Sequence, residues 1–282
     1  MQDNNIPSKQ SDGEQLKKYA DDMAKIYQSE KKKRKELEEA NLQLVKFGND
    51  LNKTLAELRT TNEELQNSYL DTIHRLVLAA EYKDEDTGDH IVRMSRYSGL
   101  IAEKIGLSQK DVENILYAAP MHDVGKIGIP DSILSKPGKL TNEEFDQMKT
   151  HATIGGKILA DSKAEILQLA HEIAVSHHEK WNGRGYPKGL SNKKIPIAGR
   201  IVALSDVFDA LTSKRPYKMP YPVEVALDII KKERGEHFDP DIVDAFLDSI
   251  DAILKIKEEV GDNPDLSGLN FKYSERDQAD VA

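Results

Sequence analysis

The N-terminal part of the chain carries a seven-residue hydrophobic repeat. One member, Glu30, interrupts it within a charged stretch that extends to Glu36. The positions of the repeat are Leu16, Met23, Glu30, Leu37, Leu44, Leu51, Leu58 and Leu65. Spacing by seven that is sustained from Leu37 onward corresponds to a period of 3.5 residues per turn, which is typical of a coiled coil.

The second seam position of this repeat is mixed in character. It is occupied by Asn41, Gly48, Leu55, Asn62 and Tyr69. Asn at a seam position favours a defined register at some cost in stability, and Gly weakens the helix by roughly 1 kcal/mol relative to Ala. We expect residues 15–69 to form a dimerisation and signalling helix, as a parallel homodimeric coiled coil. The alternative is one long amphipathic helix packed against its own domain.

Past Tyr69 the repeat gives way to the helical runs of a globular domain, for which we expect bounds of 70–260. Apolar residues recur there at helical spacing, and no strand-length alternating run appears, so the predicted class is all-α. The polar residues 1–14 are expected to be disordered, and residues 261–282 to form a tail.

Several residues predict where helices begin, end or bend. Ser108 is placed to cap one helix, and Thr141 with Glu144 forms a capping box for a helix that we expect to run through His151. Pro120 removes one backbone hydrogen bond and is expected to kink its helix.

The overall composition narrows the classes of function. The net charge of −9 argues against a surface that coats a nucleic acid polymer, so an anionic substrate needs a local cationic pocket. The chain has no Cys, which excludes disulfides, thiolate metal sites and a Cys nucleophile. No run of 18 apolar residues and no apolar N-terminal segment occurs, so we expect a cytoplasmic protein without a membrane partner.

The adjacent pair His122-Asp123, at the end of an apolar helical run, is the first candidate for chemistry. A charged Asp in apolar surroundings is costly unless it is paired or bound to a metal, and Lys126 places a cation where an anionic substrate could lie. By itself the pair could be an ordinary surface feature. Further imidazoles and carboxylates on separate predicted helices change that interpretation. The candidate metal ligands are His90, His122, Asp123, His151, His177, His178 and Asp206.

Seven nitrogen and oxygen ligands without sulfur suit Fe, Mn, Zn or Ni and exceed what one ion needs. A two-metal cluster bridged by Asp123 is the natural interpretation, although any single histidine could be structural. A Gly-rich loop follows His177-His178, where Gly183 and Gly185 would let the backbone approach a ligand and Tyr186 offers a ring and a hydroxyl.

Over roughly residues 70–255 the sequence resembles the HD-GYP family, a subset of the HD phosphohydrolases. The motifs that carry the resemblance follow one another in order along the chain. They are Glu81, Asp84, Thr87, His90 and Arg93; His122-Asp123-x-Gly125-Lys126; Lys136–Leu140; His151; His177-His178-Glu179; Asn182–Pro187; Asp206-x-x-Asp209-Ala-Leu211-Thr212; Arg215-Pro-Tyr217; and Phe238-Asp-Pro240.

The resemblance implies an HD-domain helical bundle with extra GYP helices. It implies hydrolysis of cyclic di-GMP, a bacterial second messenger, to linear pGpG and/or GMP by a metal-bridged hydroxide, with two or three divalent ions, Fe or Mn. His122, Asp123 and Lys126 would be catalytic. The residues that would contact the substrate are Lys126, Arg184, Tyr186, Arg215 and Lys218. The seven candidate ligands match the metal ligands of the family.

Asp86 lies four residues before His90, where three-metal members of the family carry a Glu. This spacing would put both side chains on one face of a helix, and Gly88 would let the backbone approach a third ion. We expect Asp86 to be a metal ligand. The alternative is that it is one more charge in an acidic, solvated loop.

Other functions remain open from the sequence. The nearest is an HD-type hydrolase of another nucleotide, such as cyclic GMP-AMP. A second is a non-catalytic cyclic-dinucleotide sensor or scaffold in which the coiled coil contacts signalling partners. A third is an oxygen-activating di-iron enzyme, against which the cationic residues and the Gly-Tyr-Pro loop speak.

Overall fold

The computed structural model describes residues 9–81, 83, 88–214 and 219–260, and in these residues the fold is all-α, as predicted. The helices are α1 Lys9–Glu81, α2 Gly88–Lys104, α3 Gln109–Ala118, α4 Asp131–Leu134, α5 Asn142–Met148, α6 Thr150–Leu159, α7 Glu165–Ala174, α8 Ile197–Thr212, α9 Val223–Lys232, α10 Pro240–Asp248 and α11 Ile250–Val260. By its internal contacts the chain divides into two compact units, Met1–Leu65 and Gln66–Ala282.

The first unit consists of the long helix α1 up to Leu65. The helix begins at Lys9, ahead of residue 15, at which we expect the coiled coil to begin. The apolar residues of the seven-residue repeat are exposed to solvent along it; Leu44, for example, is 69% exposed. Ion pairs one turn apart, such as Arg34 to Glu38 at 3.2 Å, contribute only a few tenths of a kcal/mol each to the helix. The leucine seam of the single chain therefore has no apolar cover within this unit.

The core of the second unit forms around α2 and α8. Helix α8 is apolar on nearly all sides, which is typical of a helix in a core, and ten of its sixteen residues are buried. Its Phe208 meets Tyr97 of α2 at a ring-centroid distance of 5.7 Å and Phe246 of α10 at 5.0 Å, both edge to face. Such pairs add about 0.5–1.5 kcal/mol beyond the area that they bury. None of the described helices has the length and apolar character needed to cross a lipid bilayer.

The predicted helix starts are present. Ser108 caps α3 by accepting a hydrogen bond from the backbone N–H of Asp111, and Thr141 and Glu144 form the complete capping box of α5. The expectation that this helix runs through His151 was wrong. Helix α5 ends at Met148, and His151 lies in the first turn of α6.

Pro120 ends its helix rather than kinking it. Helix α3 stops at Ala118 and continues as a 3₁₀ turn, Ala119–Met121, with Pro120 in its first positions, where a missing N–H costs no helical hydrogen bond. The chain then passes into a second 3₁₀ turn, Val124–Gly128. His122-Asp123 therefore lies in the joint between two short turns.

The turn Val124–Gly128 lies directly against α6, and this close approach requires glycine. A Cβ atom on Gly125 would lie 1.9 Å from the carbonyl oxygen of His151 and 2.4 Å from the backbone nitrogen of Gly155. Both obstacles are backbone atoms, so no side chain can move aside. The contact fixes the distance between the His122-Asp123 joint and His151.

We expect Gly125→Ala to destabilise the protein by about 1–3 kcal/mol, the usual cost of overpacking, because α6 must move away from the turn. Gly48→Ala is the matched control, since its Cβ meets nothing within 4 Å and Ala is the better helix former. Urea unfolding followed by circular dichroism measures both variants. Equal midpoints for Gly125→Ala and the wild type would contradict this account of the contact.

Candidate metal centre

All seven candidate ligands lie among the described residues, and the structure brings them together from separate elements. His90 lies in the first turn of α2, His122 and Asp123 follow α3, His151 is in α6, His177 and His178 follow α7, and Asp206 lies in the middle of α8. They form two groups, and within each group one possible ligand atom per residue lies within 4.8 Å of the others. The groups are Asp123, His151, His177, His178 and His90, His122, Asp206.

Asp123 lies between the two groups. Its Oδ1 is 3.2 Å from Nε2 of His151 and 3.3 Å from Nε2 of His177, both of the first group. Its Oδ2 is 3.2 Å from Nε2 of His122, which belongs to the second group, and 2.8 Å from Nζ of Lys126. One carboxylate thus directs one oxygen to each group.

Three of the imidazoles are held in one orientation by backbone carbonyls. Nδ1 of His122, His151 and His177 lies 3.0, 2.7 and 3.1 Å from the carbonyl oxygens of residues 119, 148 and 173, respectively. A carbonyl only accepts, so each Nδ1 must carry the proton and each Nε2 presents a lone pair to Asp123. This is the orientation in which histidine binds metals.

Several buried polar atoms of the first group lack hydrogen bonds. Among the described residues, Oδ1 of Asp123, Nε2 of His151 and Nε2 of His177 are buried and form none. Orphaned buried polar atoms cost about 1–3 kcal/mol each, so native proteins rarely leave them. Here they converge on one point and are all electron-pair donors. The arrangement fits a cation at that point.

The electrostatics keep these residues in the forms that bind metals. Burial opposes ionisation of Asp123, but the charge of Lys126 beside it holds its pKa well below the usual range. Burial lowers the pKa of His151, and burial together with His177 lowers the pKa of His178 well below its ordinary value. The first group therefore combines an ionised Asp123 with His151 and His178 in their neutral forms.

Asp209 orients His90, a role that the sequence reasoning missed. Its Oδ2 is 2.8 Å from Nδ1 of His90, and its Oδ1 accepts a hydrogen bond of 2.7 Å from Nε of Arg93. Burial disfavours the charge of Asp209, but the hydrogen bonds from His90 and Arg93 lower its pKa overall. Asp209 lies one helical turn after Asp206 and Arg93 one turn after His90. This spacing places both on the helix faces that carry the ligands, which is a signal in the sequence, but it does not show that they meet.

The Gly-rich loop closes over the first group. The ring of Tyr186 lies 4.7 Å from that of His178, tilted by 34°. The glycine at 185 serves packing within the protein, because a Cβ there would lie 2.3–2.5 Å from backbone atoms of residues 178–180. This corrects the expectation that Gly185 lets the backbone approach a ligand.

Glu179 holds this loop through hydrogen bonds, a role that the sequence reasoning also missed. The residue is 2% exposed, and its carboxylate accepts hydrogen bonds from the backbone N–H groups of Lys188 at 2.7 Å and Leu190 at 2.9 Å. The available signal in the sequence was a Glu directly after two histidines. These bonds hold the part of the loop that follows Tyr186.

The predicted substrate contacts differ in their surroundings. Lys126 is paired with Asp123, Tyr186 is half-buried against His178, and the side chain of Arg184 is exposed. Arg215, Lys218 and the third-metal candidate Asp86 lie outside the described residues, so their roles stay predictions.

Several known phosphodiesterases are similar to this chain in sequence. The chain is 47% identical over 216 residues to a cyclic di-GMP phosphodiesterase of Thermotoga maritima, covering 75% of this chain and 57% of that protein. It is 47% identical over 190 residues to the cyclic di-GMP phosphodiesterase response regulator RpfG of Xanthomonas campestris, covering 67% and 50%. A 3'3'-cGAMP-specific phosphodiesterase of Vibrio cholerae is 41% identical over 208 residues, covering 74% and 38%. The chain thus spans roughly half the length of these relatives.

Structural similarity agrees with the sequence comparison on the fold. A crystal structure of a cyclic GMP-AMP specific phosphodiesterase of V. cholerae superimposes with a TM-score of 0.51 at 20% identity, covering 71% of this chain and 54% of that one. Residues 77–242, which contain all seven candidate ligands, match the HD domain family. With this match over more than half of its length, the chain belongs to the HD domain family.

Proposed function

We propose that this protein is a metal-dependent phosphodiesterase that hydrolyses cyclic di-GMP to linear pGpG and/or GMP. The observation that carries the proposal is the pair of His/Asp groups that share Asp123. Relatives at 47% identity are cyclic di-GMP phosphodiesterases, which supports this choice of substrate. The bounds of 15–69 for a dimerisation and signalling helix and 70–260 for the catalytic domain belong to the same proposal.

The two groups would hold two divalent ions, with Asp123 shared between them. Nitrogen and oxygen donors without sulfur suit Fe or Mn, the ions that we favour, and Asp86 would add a ligand for a third. When bound, such ions polarise a phosphoryl oxygen and lower the pKa of water. His90 would be kept in place by Asp209, as metal-binding histidines commonly are by a carboxylate.

Side chains at the rim of the centre would bind the phosphodiester. Nζ of Lys126, 2.8 Å from Asp123, places a positive charge where a non-bridging oxygen would lie. Burial raises the pKa of Tyr186, so its hydroxyl stays protonated at neutral pH and can donate a hydrogen bond to that anion. Arg184 at the exposed side of the loop, with Arg215 and Lys218, would complete the cationic pocket.

Cyclic GMP-AMP is the second candidate substrate, because a relative at 41% identity is specific for it. The two cyclic dinucleotides carry the same phosphodiesters and differ in one purine. The metal centre would act on either, and the choice would be made by residues that contact the bases.

The test is an assay of the purified protein. The protein is loaded anaerobically with Fe(II) or Mn(II), incubated with cyclic di-GMP or cyclic GMP-AMP, and the products are separated by chromatography. We expect metal-dependent release of linear dinucleotide or mononucleotide from cyclic di-GMP. Binding of either dinucleotide without turnover would instead support a sensor, and absence of both would reject the proposal.

Asp123→Asn keeps the shape of the side chain and removes its charge. We expect loss of metal together with at least a hundredfold loss of activity, because bound metals stabilise the transition state by several kcal/mol. Asp228→Asn, at an exposed position of α9, is the control that should leave both unchanged. Metal content by mass spectrometry and initial rates measure the two effects. Full activity of the Asp123→Asn variant would contradict sharing of this carboxylate by two ions.

We also propose that α1 dimerises the protein in parallel through its exposed leucine seam, because an apolar stripe of this length is unstable in water without a partner helix. Deleting residues 1–65, the first compact unit, should convert a dimer into a monomer. Light scattering on both proteins at micromolar concentration measures this. A monomeric full-length protein would refute the dimer and leave the proposal on catalysis untouched.

A further inference from the structure

We propose that Phe145 and Lys149 form a subsite for a purine base of the substrate, with a preference for guanine. The inference rests on the proposed function, since it takes the substrate to be a cyclic dinucleotide. Phe145 is a large aromatic side chain that is 47% exposed, on the short helix α5. A single exposed apolar residue is ordinary, so the argument depends on what holds Phe145 and what lies beside it.

The first observation is that α5 is firmly held although it contributes nothing to the core. None of its residues is buried. It is nevertheless fixed at its start by the capping box of Thr141 and Glu144, and Nζ of Lys136 donates to both carboxylate oxygens of Glu144 at 2.7 and 2.6 Å. These bonds orient a helix whose apolar side chain faces solvent. A role in packing does not explain this arrangement.

The second observation is the neighbour of Phe145. Its ring lies 6.4 Å from the ring of Tyr186 at an angle of 84°. Tyr186 in turn lies against His178 of the first metal-binding group, at 4.7 Å. The three rings therefore form a continuous series that leads from the metal centre to the surface.

Two perpendicular rings make a corner that suits a planar base. A purine stacked on the face of one ring meets the other with its edge, and both arrangements are favourable for aromatic systems. The base of a nucleotide is joined to its phosphate through a single ribose. While the phosphodiester lies on the metal centre, its base therefore reaches side chains beside that centre. Phe145 is such a side chain.

Lys149 provides a hydrogen-bond donor for the edge of the base. Its Nζ lies over the face of the Phe145 ring, 5.3 Å from the centroid, and 2.5 Å from the carboxylate of Asp146. A base that stacks on this face of Phe145 therefore meets the ammonium group with one edge. Guanine presents two acceptors, O6 and N7, along one edge, whereas adenine presents an acceptor and a donor. An ammonium group only donates, so it favours guanine.

The experiment compares variants of the full-length, metal-loaded protein. Removing a base–aromatic stack should raise the KM of Phe145→Ala for cyclic di-GMP roughly 5- to 100-fold with kcat little changed. Phe145→Trp should restore a low KM. Ile158→Ala, which removes another exposed apolar side chain on the adjacent helix α6, is the matched control and should behave as the wild type.

A second substrate separates base binding from a structural effect. Bis(p-nitrophenyl) phosphate has a phosphodiester and no purine, so Phe145→Ala should lose far less kcat/KM on it than on cyclic di-GMP. Equal losses on both substrates, or no loss on cyclic di-GMP, would overturn the subsite. Lys149→Met should lower the preference for cyclic di-GMP over cyclic di-AMP, measured as the ratio of the two kcat/KM values. An unchanged ratio would overturn the proposed preference for guanine.

Calorimetric titration with cyclic di-GMP keeps this inference distinguishable from the proposed function. If the wild type binds cyclic di-GMP without hydrolysing it, catalysis fails while the subsite is still tested by the affinity of Phe145→Ala. Weaker binding by Phe145→Ala than by Ile158→Ala supports the subsite. Equal affinities overturn it.

Discussion

The buried carboxylate of Asp123 is the constraint on which the arrangement of the second unit depends. A lone ionised carboxylate in a protein interior costs several kcal/mol, so it must be surrounded by compensating groups. Here Lys126 pairs with one oxygen, beside His122, and a cation held by His151 and His177 would compensate the other. These partners come from different parts of the chain. The helices that carry them must therefore meet at this point.

Two features make that meeting possible, and both act through the backbone. The absence of a side chain on Gly125 lets the turn after Asp123 touch α6, and so brings His151 to the carboxylate. Hydrogen bonds from Nδ1 of His122, His151 and His177 to carbonyl oxygens then turn each ring so that Nε2 faces Asp123. The geometry of the centre is thus set by main-chain atoms, which move less than side chains do.

The dependence of the centre on main-chain contacts explains which parts of the site could be predicted from the sequence. The ligand types and the all-α class are local properties: an Asp such as Asp206 in an apolar helix is conspicuous wherever it lies. The effects of Pro120, Gly185 and Asp209 depend on neighbours distant in sequence. Spacing alone could not show that Pro120 would begin a turn, that Gly185 would face the backbone of residues 178–180, or that Asp209 would meet His90.

The donor set also couples metal binding to the stability of the second unit. Without an ion, converging lone pairs on Asp123, His151 and His177 are buried without hydrogen bonds, which opposes folding. An ion that binds only the folded chain removes that cost and adds about 2.7 kcal/mol of stability at a concentration of one hundred times its Kd. Since the donors follow α3 and α7 and lie within α6, that energy acts on the contacts between these helices. We therefore expect metal binding to stabilise the unit that carries Tyr186 and Phe145.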